Sequence, residues 1–115
     1  MNWTNAKFVA GLVAEHGMRS IQEIGHLHGV STCYLACTGA AVTTIDLPAA
    51  RCNTPNVKDT LAACGLNAEI VYRQSRDAMA AWVADGRRFS LIMVDGSHAL
   101  GDALTDLLLA DLLLE

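Results

Sequence analysis

Residues 23 to 29 read Glu-Ile-Gly-His-Leu-His-Gly, with two glycines four apart between a short apolar run and a second one. A glycine pair lets a ligand or another backbone come close to a strand-to-helix turn, because no Cβ stands in the way and positive φ is accessible. The same pair can equally be a tight turn. Asp46 follows 17 positions after Gly29, at the end of the β-branched run "VTTID". A carboxylate there can accept hydrogen bonds from the two hydroxyls of a ribose, although a turn former ahead of Leu47-Pro48 would look the same. A third group, Asp95-Gly96-Ser97-His98, closes the apolar run "FSLIMV" and offers a carboxylate and an imidazole suited to proton transfer.

The dinucleotide fingerprint G-x-G-x-x-G is absent, which disfavours a nicotinamide-dependent oxidoreductase. His26, Leu27 and His28 crowd a turn that pyrophosphate would need bare, so a nucleoside without phosphates fits better. His26, His28, Asp95 and His98 also have the composition of a two-histidine, one-carboxylate metal set. Alternate residues on a turn point apart, however, and such histidines are commonly neutral and hydrogen-bonded.

The elements that must position these groups alternate in period. Thr4 can cap a helix carrying Phe8, Val9, Leu12 and Val13 that Gly17 ends. Residues 20–24 suit a strand, 30–37 a helix opening on the glycine turn, and 41–45 a second strand. Thr54-Pro55 supplies a cap and a first-turn proline for a helix running to Gly65. Residues 69–73 make a third strand, Ser75 can cap a helix through Met79, Trp82 and Val83, and 89–94 make a fourth strand. Its unbroken apolar character suits a parallel sheet covered on both faces. A last helix after Gly101 carries seven leucines. Four strands alternating with helices predict a doubly wound α/β sheet, one domain over 1–115 with an N-terminal helix in 1–19 and the β/α core in 20–115. Glu23 and Gly25, Asp46, Gln74 and Ser75, and Asp95 would then converge at the carboxyl ends of the strands, where such sheets bind ligands.

Composition narrows the partners. The 115 residues are 52% hydrophobic with a formal charge of −4 and eight scattered Lys and Arg, which offers no footprint for a nucleic acid backbone. The start lacks the features of a secretory signal, and the apolar stretch Leu107 to Leu114 is interrupted by Asp111. It is far shorter than the roughly 20 residues a membrane helix needs, so no membrane partner and a cytoplasmic location are expected. Cys33, Cys37, Cys52 and Cys64 lack metal or disulfide spacing and read as buried free thiols.

The segments "QEIGHLHGVSTCYLA", "VTTIDLP" and "FSLIMVDGSHALGDALTDL" together resemble the class I S-adenosylmethionine-dependent methyltransferases, above all small members with E-x-G-x-x-x-G-x-S-T and DG-x-H motifs. The resemblance implies a Rossmann-like, mostly parallel sheet and S-adenosylmethionine as cofactor, with a small-molecule acceptor. It places Glu23, Gly25, His26 and Gly29 around the amino-acid end of the cofactor, with Ser31 opening the next helix. Asp46 falls at the ribose, Leu47 beside the adenine, and Gln74 and Ser75 where the adenine amino group is read. Asp95 and Gly96 fall beside the methyl group. Asp95 and His98 are the implied catalytic candidates, and Asp95 the candidate for magnesium, which some relatives use.

The departures are specific. Leu27 stands where many members have glycine, Gln74 where an acid is usual, and the chain stops before the "PGG", fifth strand and antiparallel pair of the full fold. A sheet of about four strands lacking those C-terminal strands would leave an open edge and a leucine-rich helix, which predicts either a fragment of a longer enzyme or a homo-oligomer. A noncatalytic nucleoside-binding module is the alternative to an enzyme.

Overall fold

A computed structural model describes residues 2–97 and 99–115. Helix α1 (Trp3–His16) precedes β1 (Ser20–Ile24), α2 (Val30–Ala36) and β2 (Ala41–Asp46), and a short 3₁₀ turn (Pro48–Cys52) leads to α3 (Val57–Ala63). Then come β3 (Glu69–Tyr72), α4 (Ser75–Ala84), β4 (Leu91–Val94) and α5 (Leu100–Leu113). The four strands are parallel in the order β3-β2-β1-β4. The order reverses between β1 and β4, which opens a crevice at their carboxyl ends.

Alternation along the strands divides the core into two layers. Ile21 of β1 and Val42 of β2 pack with Val13 of α1 and Leu35 of α2, while Cys33, Val57 and Leu61 extend that layer under α3. Ile24 and Ile45 point to the opposite face, against Ala78 and Met79 of α4, Ala110 and Leu113 of α5, and Phe89. The doubly wound sheet is thus the one the periodicity predicts, with α1, α2 and α3 on one face and α4 and α5 on the other.

Several local expectations are corrected. Asn2, not Thr4, caps α1 by accepting from the Asn5 N–H. Asn56 caps α3 in a reciprocal box with Asp59, so Thr54-Pro55 lies outside the helix. Gln74 is the residue before α4, and Ser75 starts the helix with its hydroxyl turned elsewhere. Strand β4 begins at Leu91 rather than 89, lies at an edge, and is half-buried rather than fully covered. All four cysteines are free thiols, but only Cys33 is buried, and burial pushes its thiol up to about 11.

Beside β4, Phe89 forms a parallel bridge with Leu114, donating to the Leu113 carbonyl at 2.8 Å and accepting from the Glu115 N–H at 3.0 Å. Leu100, Leu104, Leu108 and Leu112 remain exposed along α5. Among the described residues no helix is long and apolar enough to cross a membrane.

Candidate functional site

The crevice between the strand tips is a cavity of about 720 Å³, within the range of small-molecule sites. Its wall takes Gly25 and His26 from the turn after β1, Ser31 from α2, Asp46 from the end of β2 and Leu47 after it, Gln74 and Ser75 from the start of α4, and Asp95 and Gly96 after β4. These nine sequence-predicted residues are brought together. Glu23 and Gly29 are not part of the wall, and His98 lies outside the described residues.

The two glycines answer to protein packing. At Gly25, φ is +89°, and a Cβ would collide with the Asp95 carbonyl, 2.8 Å from its carbon and 3.1 Å from Gly96 Cα. At Gly29, φ is +88°, and a Cβ would stand 2.8 Å from Val57 Cα. The missing side chains therefore let the segment after β4 and the first residue of α3 close on the turn.

The turn is then pinned from β2 and the connection after it. Asp46 Oδ2 accepts from the backbone N–H of His26 at 3.0 Å and of Leu27 at 2.9 Å, and Oδ1 accepts from the Leu47 N–H at 2.8 Å. Leu27 sits at φ 47°, a left-handed conformation that costs a branched side chain energy, and its carbonyl accepts from Asn53 at 3.0 Å. The Thr60 hydroxyl donates to the His28 carbonyl at 2.6 Å. Two carboxylate oxygens offer about four acceptor positions. Three amides occupy Asp46, which leaves capacity for a hydroxyl from a ligand.

Glu23 works from behind. It is 1% exposed, on the α2 face of β1, and accepts from Ser31, from Thr32 at 2.5 Å and from Thr44 at 2.7 Å. Since the Thr44 proton goes to Glu23, its oxygen is the acceptor for His26 Nδ1–H at 3.0 Å. The network ties the start of α2, the middle of β2 and the turn into one unit, and Glu23 holds Ser31 rather than touching the cavity. Burial raises the Glu23 carboxyl above the ordinary glutamate range despite the three hydroxyls.

Two results follow. Glu23→Ala leaves three hydroxyls without their acceptor and should destabilise the fold by about 2–4 kcal/mol in chemical denaturation. The raised value also means that the folded state holds this proton more tightly than the unfolded chain. The stability it contributes is complete below the unfolded value of about 4.3 and is lost as pH rises through the folded one. Glu23→Gln, neutral throughout, should flatten that decline of the denaturation midpoint, and a wild-type-like slope would contradict the assignment.

His26 is 2% exposed, its ring edge-on to Tyr72 with centroids 5.5 Å apart, and burial lowers its pKa. His28 also lines the cavity, with Nδ1 2.8 Å from the Pro55 carbonyl. Among the described residues no three His, Cys, Asp or Glu side chains are placed to hold a metal ion.

The wall also contains groups that sequence reasoning missed: Arg73, Arg76 and Ser97, and from α5 Asp102, Thr105 and Asp106. Asp106 is 2% exposed and accepts from the Ser75 hydroxyl at 2.6 Å. Its spacing with Ala110 and Leu113, both buried on the inner face of α5, is the one signal that could have marked it.

A family described as a methyltransferase domain matches residues 22–115. No curated protein matches the chain. An O-methyltransferase from Bacillus cereus, solved with S-adenosylhomocysteine, is similar at TM-score 0.80 and 24% identity over 100% of this chain and 53% of its own. An O-methyltransferase of tomaymycin synthesis from Streptomyces achromogenes, solved with S-adenosylmethionine, is similar at TM-score 0.84 and 21% identity over 100% and 52%. An S-adenosylmethionine-dependent methyltransferase from Agrobacterium tumefaciens is similar at 0.81 and 16% over 97% and 40%. The chain spans about half the length of the first two of these structures.

Proposed function

This chain belongs to the methyltransferase-domain family, and from that premise we propose that its cavity binds S-adenosylmethionine for methyl transfer to a small-molecule acceptor. The observation that carries the reading is Asp46: a carboxylate at the tip of β2, on the cavity wall, committed to three amides and with acceptor capacity left for a ribose.

In this reading the adenosyl group lies across the turn at 25–29, with Leu47 against the base and Ser31 toward the amino-acid end. When bound, the sulfonium supplies an electrophilic methyl group. The chain's own part is to align the acceptor with it and to take a proton where the acceptor is a hydroxyl. Asp95, on the wall at the tip of β4, is our candidate for that base, and His98 is the second candidate from the sequence. Where the acceptor is a hydroxyl, Asp95 would receive its proton as the oxygen bonds to the methyl group and the methyl leaves the sulfur of the bound donor. Asp95 donates its own backbone N–H to the Ile24 carbonyl at 2.9 Å, which fixes where its side chain starts.

Calorimetric titration tests the reading. S-adenosylhomocysteine should bind one to one and NAD should give no heat of binding. Binding of NAD in place of the adenosyl ligand would return the oxidoreductase alternative, and adenosyl binding without methyl turnover from S-adenosylmethionine would favour the noncatalytic module.

A further inference from the structure

Cysteines gather where α2 packs on α3. The two helices start side by side, since Gly29, the residue before α2, lies against Val57, the first residue of α3. They run on in the same direction, because one turn further along Cys33 packs with Leu61 in a single buried cluster. Val57, Leu61 and Cys64 stand at i, i+4 and i+7, so the stripe of α3 that faces α2 ends on a cysteine. Cys37 stands one turn beyond Cys33, at the end of α2.

The register brings Cys64 to Cys33. Burial first, and then the neighbouring Cys64 thiol, push the Cys33 thiol up to about 11, with a smaller contribution from Cys37. Cys33 is buried and Cys64 is exposed. A reagent in solution therefore meets Cys64 first, while Cys33 waits behind it as the thiol able to resolve the product.

We propose that Cys33 and Cys64 form a thiol–disulfide exchange site, which staples α2 to α3 when the chain meets a low-molecular-weight disulfide such as oxidised glutathione. The inference is independent of the adenosyl reading of the cavity. In the first step the Cys64 thiolate attacks one sulfur of glutathione disulfide, whose S–S bond breaks and releases one glutathione thiolate. Cys33, as thiolate, then attacks the Cys64 sulfur of the mixed disulfide and displaces the second glutathione. The protein loses two electrons and its two thiol protons, and the glutathione disulfide gains them as two thiols. The consequence reaches the cavity. Ser31 of its wall belongs to α2, and Thr60 of α3 holds the His28 carbonyl, so the staple joins two supports of the glycine turn.

The test uses the full chain carrying Cys37→Ser and Cys52→Ser, which leaves Cys33 and Cys64 as its only thiols. After incubation with glutathione disulfide, its intact mass should fall by two hydrogens, with no glutathione attached and both thiols lost to alkylation. Its denaturation midpoint should also rise, because the bond restricts the unfolded chain between positions 33 and 64. A stable adduct of one glutathione per chain would show that Cys33 does not reach Cys64 and would overturn the proposal, as would two thiols that stay reduced. A lower midpoint in the oxidised form would mean that the bond distorts the helix contact, and would overturn the staple. Should the double variant not fold, wild type treated in the same way decides by fragmentation of its linked peptides: Cys33 joined to Cys64 supports the proposal, and Cys37 joined to Cys64 or no linked peptide refutes it.

Discussion

Gly25→Ala should destabilise the fold by about 2–5 kcal/mol, a large share of the roughly 5–15 kcal/mol that holds a domain together. Two costs add. A φ of +89° is strained for any residue with a Cβ, at about 1–2 kcal/mol. The new carbon would also lie against the Asp95 carbonyl, 2.8 Å from its carbon atom and 3.1 Å from Gly96 Cα. Overpacking of this kind costs about 1–3 kcal/mol. Backbone on both sides prevents an easy escape, because the Gly25 N–H donates to the Ile45 carbonyl at 2.7 Å and the Asp95 N–H to the Ile24 carbonyl at 2.9 Å. Gly17→Ala is the control: φ is +61° and nothing lies within 4 Å of its Cβ position, so it should show only the conformational cost. Chemical denaturation of the two variants isolates the collision, and equal losses would refute it.

Much of this arrangement is legible in the chain, and the illegible parts share a cause. The strands and their tips follow from β-branched runs ended by glycine or acid, so Gly25, Asp46 and Asp95 are placed together by local signals and by the rules of parallel sheets. Helix starts are less legible where two caps compete. Asn56 and Asp59 satisfy each other reciprocally and prevail over Thr54-Pro55, while Asn2 prevails over Thr4.

Long-range partners are not written in local spacing at all. Ser75 looks like a helix cap until Asp106, 31 residues later, takes its proton. Glu23 falls in a motif that the family resemblance assigns to the cofactor, yet Thr44 sits directly opposite it in the β1–β2 register and draws it into the layer beneath. Asp106 itself resembles any solvated acid on a helix until its inner-face neighbours are known.

The central claim is that Asp46 holds the ribose of an adenosyl ligand, and it must be separated from the structural work that Asp46 already does for the His26 and Leu27 amides. Asp46→Ala removes both, so a lower affinity alone would be ambiguous. The decisive measurement is a double-mutant cycle by calorimetry, crossing Asp46→Ala with a ligand lacking a ribose hydroxyl, S-(2′-deoxyadenosyl)homocysteine or its 3′ counterpart. A hydroxyl donating to a carboxylate contributes about 1.5–3 kcal/mol. The wild type should therefore lose about 10- to 100-fold in affinity for at least one deoxy ligand. Asp46→Ala should bind S-adenosylhomocysteine at least as weakly and should no longer distinguish it from that deoxy ligand. Retention of the full preference in Asp46→Ala would mean that the ribose lies elsewhere, and the account of the cavity would be wrong.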